Sequence, residues 1–112
     1  MDLLSSVQLR SILRGSRNIV VISGAGISAE SGIPSFFDSD KKWWNQFPIL
    51  DYSTEDGYAA NPERAWRWCL QQRDDVLNAK PNAAHLAIAE MQNSGRSVTV
   101  ITQNIDDLHE RA

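Results

Sequence analysis

Ile19-Val20-Val21-Ile22 runs straight into Ser23-Gly24-Ala25-Gly26-Ile27-Ser28-Ala29-Glu30-Ser31-Gly32-Ile33-Pro34. A β-branched run without alternation predicts a strand buried on both faces, as in a parallel sheet. The glycines that follow predict a tight turn, and a helix starting there aims backbone N–H groups at a pyrophosphate. A second run, Val98-Thr99-Val100-Ile101-Thr102, ends in Gln103-Asn104-Ile105-Asp106. Its polar residues fall at a strand's carboxyl end, where open α/β sheets place their ligands. Together the two segments predict a dinucleotide site. Gly24-x-Gly26-x-x-Ala29 fits the general fingerprint, but the confirming acid expected roughly 20 residues on is missing, since Asp51 lies in irregular sequence. On the turn alone, a tight strand-to-helix connection that binds nothing stays open.

The totals narrow the class. A chain of 112 residues is enough for one modest domain. Composition is that of an ordinary globular protein, and no segment approaches the ~20 apolar residues that span a bilayer. The start, Met1-Asp2-Leu3-Leu4-Ser5-Ser6, lacks the basic end and apolar core of a secretion signal. A net charge of −3 gives no basic face for nucleic acid. Cys69, the single cysteine, excludes an intrachain disulfide and cannot build a multi-cysteine zinc site. No metal ligand set is expected within the chain. A reduced, cytoplasmic setting follows, with neither nucleic acid nor membrane as a partner.

Leu4, Val7, Leu9, Ile12 and Leu13 form a rough helical stripe that stops at Gly15, read as a C′ residue. Residues 35–58 are aromatic and charged without a period. So long a connection is usually functional or disordered, and its aromatic content argues against simple disorder. Asn61-Pro62-Glu63 is a helix start, with Asn as N-cap and Pro at N1. Trp66, Cys69, Leu70 and Leu77 then share one face at helical spacing, which reads as core packing. Pro81-Asn82 opens another helix with Ala84, Ile88 and Met91 at i, i+4 and i+7, and Asn93-Ser94-Gly95 ends it. Residues 105–112 begin as a helix and stop without a cap.

The order is helix, strand, helical excursion, strand, helix. It makes the fold class α/β, a partial Rossmann-like parallel sheet with helices. Two parallel strands leave both outer edges unpaired, and parallel sheets are normally covered on both faces. The chain therefore reads as the front portion of a larger fold: a fragment, a truncated product, or a half that pairs with a complementing chain or with itself through its open sheet edges.

A longer string is more specific than the turn. Gly24-Ala25-Gly26-Ile27-Ser28-Ala29-Glu30-Ser31-Gly32-Ile33-Pro34-x-Phe36 resembles the hallmark of sirtuins, the NAD-dependent protein deacylases. Thr102-Gln103-Asn104-Ile105-Asp106-Asp107-Leu108-His109-Glu110-Arg111-Ala112 resembles their second hallmark, and Lys80-Pro81-Asn82-Ala83-Ala84-His85 matches the helix between them. All three stand in family order and spacing, from about residue 15 to the last. The resemblance implies a sirtuin-type NAD-binding domain whose front portion is residues 1–112, with NAD as cofactor and an acyl-lysine protein as substrate. It implies that Gly24, Ala25, Gly26 and Ser28 hold the pyrophosphate and nearby ribose, and that Ile33 and Phe36 wall the nicotinamide end. Gln103 and Asn104 would reach the nicotinamide ribose; Ile105 belongs to the same cofactor segment. Asp106 would hydrogen-bond the carboxamide, so Asn104 and Asp106 assist the chemistry at that end. In such enzymes the acyl-lysine oxygen attacks C1′ of the ribose as nicotinamide leaves, and a histidine then acts as general base.

The chain also departs from the family. The pattern after Gly-Ile-Pro is a polar residue, Phe, then Arg; here it is Ser35-Phe36-Phe37, and Lys41 or Lys42 is not expected to compensate. The general-base histidine belongs to a His-Gly pair beyond residue 112, so no catalytic histidine is expected within the chain. His109 belongs to the second hallmark and is not that base, while His85 is a helix position read as packing or solvent-facing. The zinc ribbon and the strands that bind adenosine also lie outside these residues. Sirtuins that remove acidic acyl groups carry Tyr-x-x-Arg where this chain has Cys69 and Gln72. An uncharged pair neutralises a buried carboxylate poorly, which favours acetyl or another neutral acyl group. Trp43-Trp44 reads equally as a ligand lid or as packing. The leading expectation is the NAD-binding portion of a deacylase that is incomplete alone. The alternatives are an NAD hydrolase or ADP-ribosyl-transfer relative, and a non-catalytic NAD-binding module.

Overall fold

Two short parallel strands organise the molecule. In the computed structural model, which describes residues 4–33 and 51–112, β1 (Asn18–Ser23) pairs with β2 (Ser97–Thr102) in register from Asn18↔Ser97 to Ser23↔Thr102. Helix α1 (Ser6–Gly15) precedes β1 and a 3-10 helix (Ala25–Ser31) follows it. Helices α2 (Glu55–Ala60), α3 (Pro62–Asn78) and α4 (Ala83–Asn93) occupy the connection to β2, and α5 (Leu108–Arg111) follows. Parallel neighbours need such a crossover, because no hairpin returns the chain in the same direction. The readings placed on Phe36, Phe37, Lys41, Lys42, Trp43 and Trp44 lie outside the described residues.

Local chemistry sets the helix boundaries. Ser5 and Gln8 form a capping box on α1, with the Ser5 N–H donating to Gln8 Oε1 at 2.8 Å. Asn61 Oδ1 accepts from Arg64 N at 3.1 Å and Pro62 opens α3, as its sequence predicts. Gly95 follows the end of α4 at φ +81°, a conformation that favours glycine. Gly15 differs from its reading as a left-handed C′ residue. It lies within α1 without a positive φ, and Ser16 caps the helix, its Oγ donating to Ile12 O at 2.7 Å. Helix α2 arises where no period was read: Thr54 Oγ1 accepts from Gly57 N at 3.0 Å, and Glu55 and Asp56 lie in its first turn. Six residues are too few for an apolar period to declare itself.

Burial and the course of the chain correct four further expectations. The strands are covered on one face only. Ile19, Val21, Val98 and Val100 are half-buried on the face where α4 packs against β2, whereas Val20, Ile22 and Ile101 are 62%, 80% and 53% exposed. Among the described residues no helix lies over that second face, which a parallel sheet normally covers. On α3, the stripe read as core is exposed at Trp66, Cys69, Leu70 and Leu77. The helix turns inward Ala65, with Trp68, Gln72 and Val76 half-buried. On α4 the buried position is His85 instead of Ala84. Finally, α5 starts at Leu108 instead of 105, because residues 103–107 form a turn.

The tightest packing lies around the carboxyl ends of the strands. Leu108, His85 and Ser28 are the largest fully buried side chains; Ala65 and Ala79 are buried as well, on and just after α3. Arg111 ties α5 to the end of α3, donating to Ala79 O at 2.8 Å and Val76 O at 3.0 Å. Both carbonyls lie at the C-terminal end of α3, where the helix no longer supplies an N–H four residues on. Among the described residues no helix is long and apolar enough to cross a membrane.

Candidate functional site

Because β1 and β2 are adjacent and parallel, the segments that leave them emerge side by side. Gln103 N donates to Ser23 O at 3.3 Å, which carries the ladder one step past the strands. Asn104 then turns inward: its backbone N–H donates to Thr102 Oγ1 at 3.1 Å, and its Nδ2 donates to Gly24 O at 2.9 Å and Ser28 Oγ at 3.4 Å. The Ser28 hydroxyl donates to Asp106 Oδ2 at 2.8 Å. The other carboxylate oxygen, Oδ1, accepts from Leu108 N at 3.1 Å and fixes the start of α5. Gly24, Ser28, Asn104 and Asp106 thus form one connected polar cluster.

The glycines of the turn differ in what they need. A Cβ on Gly24 would stand 2.8 Å from Gln103 Nε2, so the two segments approach closely there and any larger residue has to displace the end of the Gln103 side chain. Among the described residues a Cβ on Gly26 would meet nothing within 4 Å, so their packing does not account for that glycine. Gly32 sits at φ +90° and closes the 3-10 helix, its N–H donating to Ala29 O at 3.1 Å.

The structure brings Gly24, Ser28, Gln103, Asn104 and Asp106 together. Ala25 is half-buried and Gly26 exposed at the head of the 3-10 helix, and Ile33 is half-buried just beyond it. Ser28 is fully buried, with its hydroxyl engaged by Asp106. Ile105 is 84% exposed. Phe36 lies outside the described residues.

Sequence reasoning missed Asn82. Its Nδ2 donates to Ile27 O at 2.7 Å and Ser31 Oγ at 2.9 Å, and its Oδ1 accepts from Ala84 N at 3.0 Å. One residue therefore caps α4 and holds the 3-10 helix. The N-cap signal was legible; the second role depends on tertiary placement. His85 takes the packing role open to it. It is 1% exposed, and its Nδ1 accepts from Asn82 N at 3.2 Å. Burial first, then neighbouring His109, lower its pKa, and Asp106 partly opposes them. His109 shares a 2.9 Å hydrogen bond with Ser23 Oγ through Nε2, and its ring meets that of His85 edge-on at 5.0 Å. A cleft of about 220 Å³ between α4, β2 and α5 is lined by Ile88, Val100, Thr102, Glu110 and these two histidines. Among the described residues no cluster of histidine, cysteine and carboxylate side chains is arranged to hold a metal.

A parallel strand pair, a glycine turn after the first strand and a polar cluster at their carboxyl ends define a partial Rossmann-like α/β fold. Residues 24–112 match the model of the Sir2 family, and the chain belongs to that family. It is 49% identical over 100 residues to an NAD-dependent protein deacylase of Pseudomonas putida, covering 89% of this chain and 38% of that protein. It is 50% identical over 94 residues to one of Mycobacterium tuberculosis, covering 84% and 39%. Among solved structures, it is similar to a Sir2 homologue variant in complex with ADP-ribose, with TM-score 0.81, 41% identity, and coverage of 96% of this chain and 43% of that one. A Sir2 homologue–NAD complex is similar with TM-score 0.79, 40% identity, and coverage of 95% and 41%. Sir2 bound to acetylated peptide follows with TM-score 0.74, 34% identity, and coverage of 96% and 41%. The chain spans about two fifths of the length of the curated relatives it matches.

Proposed function

We propose that residues 1–112 are the front portion of the NAD-binding domain of a Sir2-type NAD-dependent protein lysine deacylase, working in the cytoplasm on neutral acyl-lysine. The observation that carries this reading is the convergence of Gly24, Ser28, Asn104 and Asp106 at the carboxyl ends of adjacent parallel strands. Relatives of the same fold include complexes with NAD, ADP-ribose and acetylated peptide.

The residues suit the ligand. Ala25 and Gly26 open the 3-10 helix, where backbone N–H groups have no partner in the preceding turn and favour an anion. The free space over Gly26 lets a pyrophosphate approach the backbone closely. Gln103 and Asn104 would reach the nicotinamide ribose, and Ile33 would wall the nicotinamide end. Asp106 accepts from the carboxamide NH₂, while Ser28 holds that carboxylate in position. NAD supplies the C1′ carbon at which the acyl oxygen displaces nicotinamide. The chain's own part is to bind, orient and keep water from that end. Neither histidine serves as general base: His85 Nδ1 accepts from Asn82 N, and His109 Nε2 is paired with Ser23. That base, and the family's zinc ribbon and adenosine-binding strands, belong to the remainder of the family fold. Cys69 and Gln72 on α3 present no cation to an acidic acyl group, which supports acetyl or another neutral substrate.

The reading is tested by titrating Asp106→Asn with NAD and with ADP-ribose. The substitution keeps the shape and removes the charged acceptor, so NAD affinity falls about tenfold, the loss of one charge-assisted hydrogen bond. ADP-ribose, which lacks nicotinamide, binds as before. Equal losses for both ligands, or none for either, would contradict the assignment of Asp106 to the carboxamide.

A further inference from the structure

We propose that His85 is an acid-operated latch on the 3-10 helix: a proton added at its Nδ1 expels the Asn82 amide and loosens residues 27–31, which Asn82 holds. The geometry fixes the tautomer. Asn82 N–H donates to His85 Nδ1 at 3.2 Å, so Nδ1 is bare and the neutral ring carries its proton on Nε2. Nε2 is buried and, among the described residues, has no hydrogen-bond partner. The next proton goes to Nδ1, where two donors then face each other and the capping box opens.

Asn82 transmits the change. Its backbone is held by His85, while its side-chain amide grips Ile27 O and Ser31 Oγ. Displacing the first contact moves the second, because one residue carries both. The titratable groups facing His85 are His109 and Glu110 on α5 and Asp106 in the turn before it. Of the strands, β2 lines the same cleft with Thr102, and Ser23 of β1 is paired with His109. Glu30 on the 3-10 helix and Lys80 before α4 are exposed to solvent. Burial and His109 oppose the added proton, so the latch stays closed at neutral pH and opens in acid.

The consequence for NAD rests on the function proposed above; the latch itself does not. Amide hydrogen exchange of residues 27–33, corrected for intrinsic rates, is measured from pH 8 to pH 5 for wild type and His85→Gln. Glutamine at this position keeps a capping-box acceptor but does not titrate. Wild type should lose protection by roughly three- to tenfold in acid, the size of losing one helix cap, and His85→Gln should stay flat. Unchanged wild-type protection, or the same acid loss in both, would overturn the latch. If His85→Gln does not fold, ¹⁵N imidazole spectra of wild type decide. An Nε2–H tautomer whose titration shifts the Asn82 amide supports the latch; an Nδ1–H tautomer or a static amide refutes it. NAD affinity should fall with protection, and loss of protection without it would count against the NAD reading alone.

Discussion

The Ser28 hydroxyl donates to the Asp106 carboxylate across 2.8 Å, joining segments 78 residues apart in sequence. This bond locks the turn after β1 to the turn after β2. Ser28 is fully buried, so its removal acts through Asp106. Ser28→Ala should destabilise the chain by about 1.5–3 kcal/mol, as expected for a hydrogen bond to a charged group. Chemical denaturation measures the loss. NAD affinity should fall with it, because among the described residues Asp106 then keeps only the Leu108 amide as a partner.

The two glycines of the turn should separate stability from binding. In Gly24→Ala the new methyl meets Gln103 Nε2 at 2.8 Å, and the flexible side chain has to swing aside. Stability should drop by no more than about 1 kcal/mol, the low end of overpacking, while NAD binding weakens through the displaced Gln103. In Gly26→Ala the methyl meets nothing and φ is not positive. Stability should hold or rise by about 0.4–1 kcal/mol, yet NAD affinity should fall, as the pyrophosphate needs that space. Paired denaturation and calorimetric titration of the two variants check both halves.

Stability should also vary with pH in a direction set by His85. Its folded pKa lies below the ordinary 6.5, through burial and then through His109. Between the two values the unfolded chain binds more protons than the folded one, so stability rises with pH there. The contribution is complete above 6.5 and is lost as pH falls through the lower folded value. Urea midpoints of wild type should therefore decline across that window. The difference between wild type and His85→Gln should shrink as acid is added.

Much of this architecture was legible because its signals are local. The β-branched runs marked both strands, Asn61-Pro62 marked the start of α3, and Ser94-Gly95 marked the end of α4. What escaped depends on tertiary placement. Trp66, Leu70 and Leu77 have helical spacing, but the face α3 buries is decided by its neighbours, which meet Ala65 instead. Val20 and Ile22 are apolar like their neighbours, yet nothing among the described residues covers them. Gly57 breaks any helix reading of its surroundings, and the Thr54 cap overrides that preference. At the site, Gly24, Asn104 and Asp106 were readable from their motifs. Asn82 read only as part of a helix start, because its grip on Ile27 and Ser31 spans segments that no local pattern connects.

The central claim is that the turn after β1 and the turn after β2 hold one NAD molecule between them. Amide chemical-shift mapping during an NAD titration tests it most directly. Saturable shifts at residues 24–28 and 103–106, fitting a single dissociation constant, are the expected result. Shifts confined to one of the two segments, or no saturation at either, would contradict it.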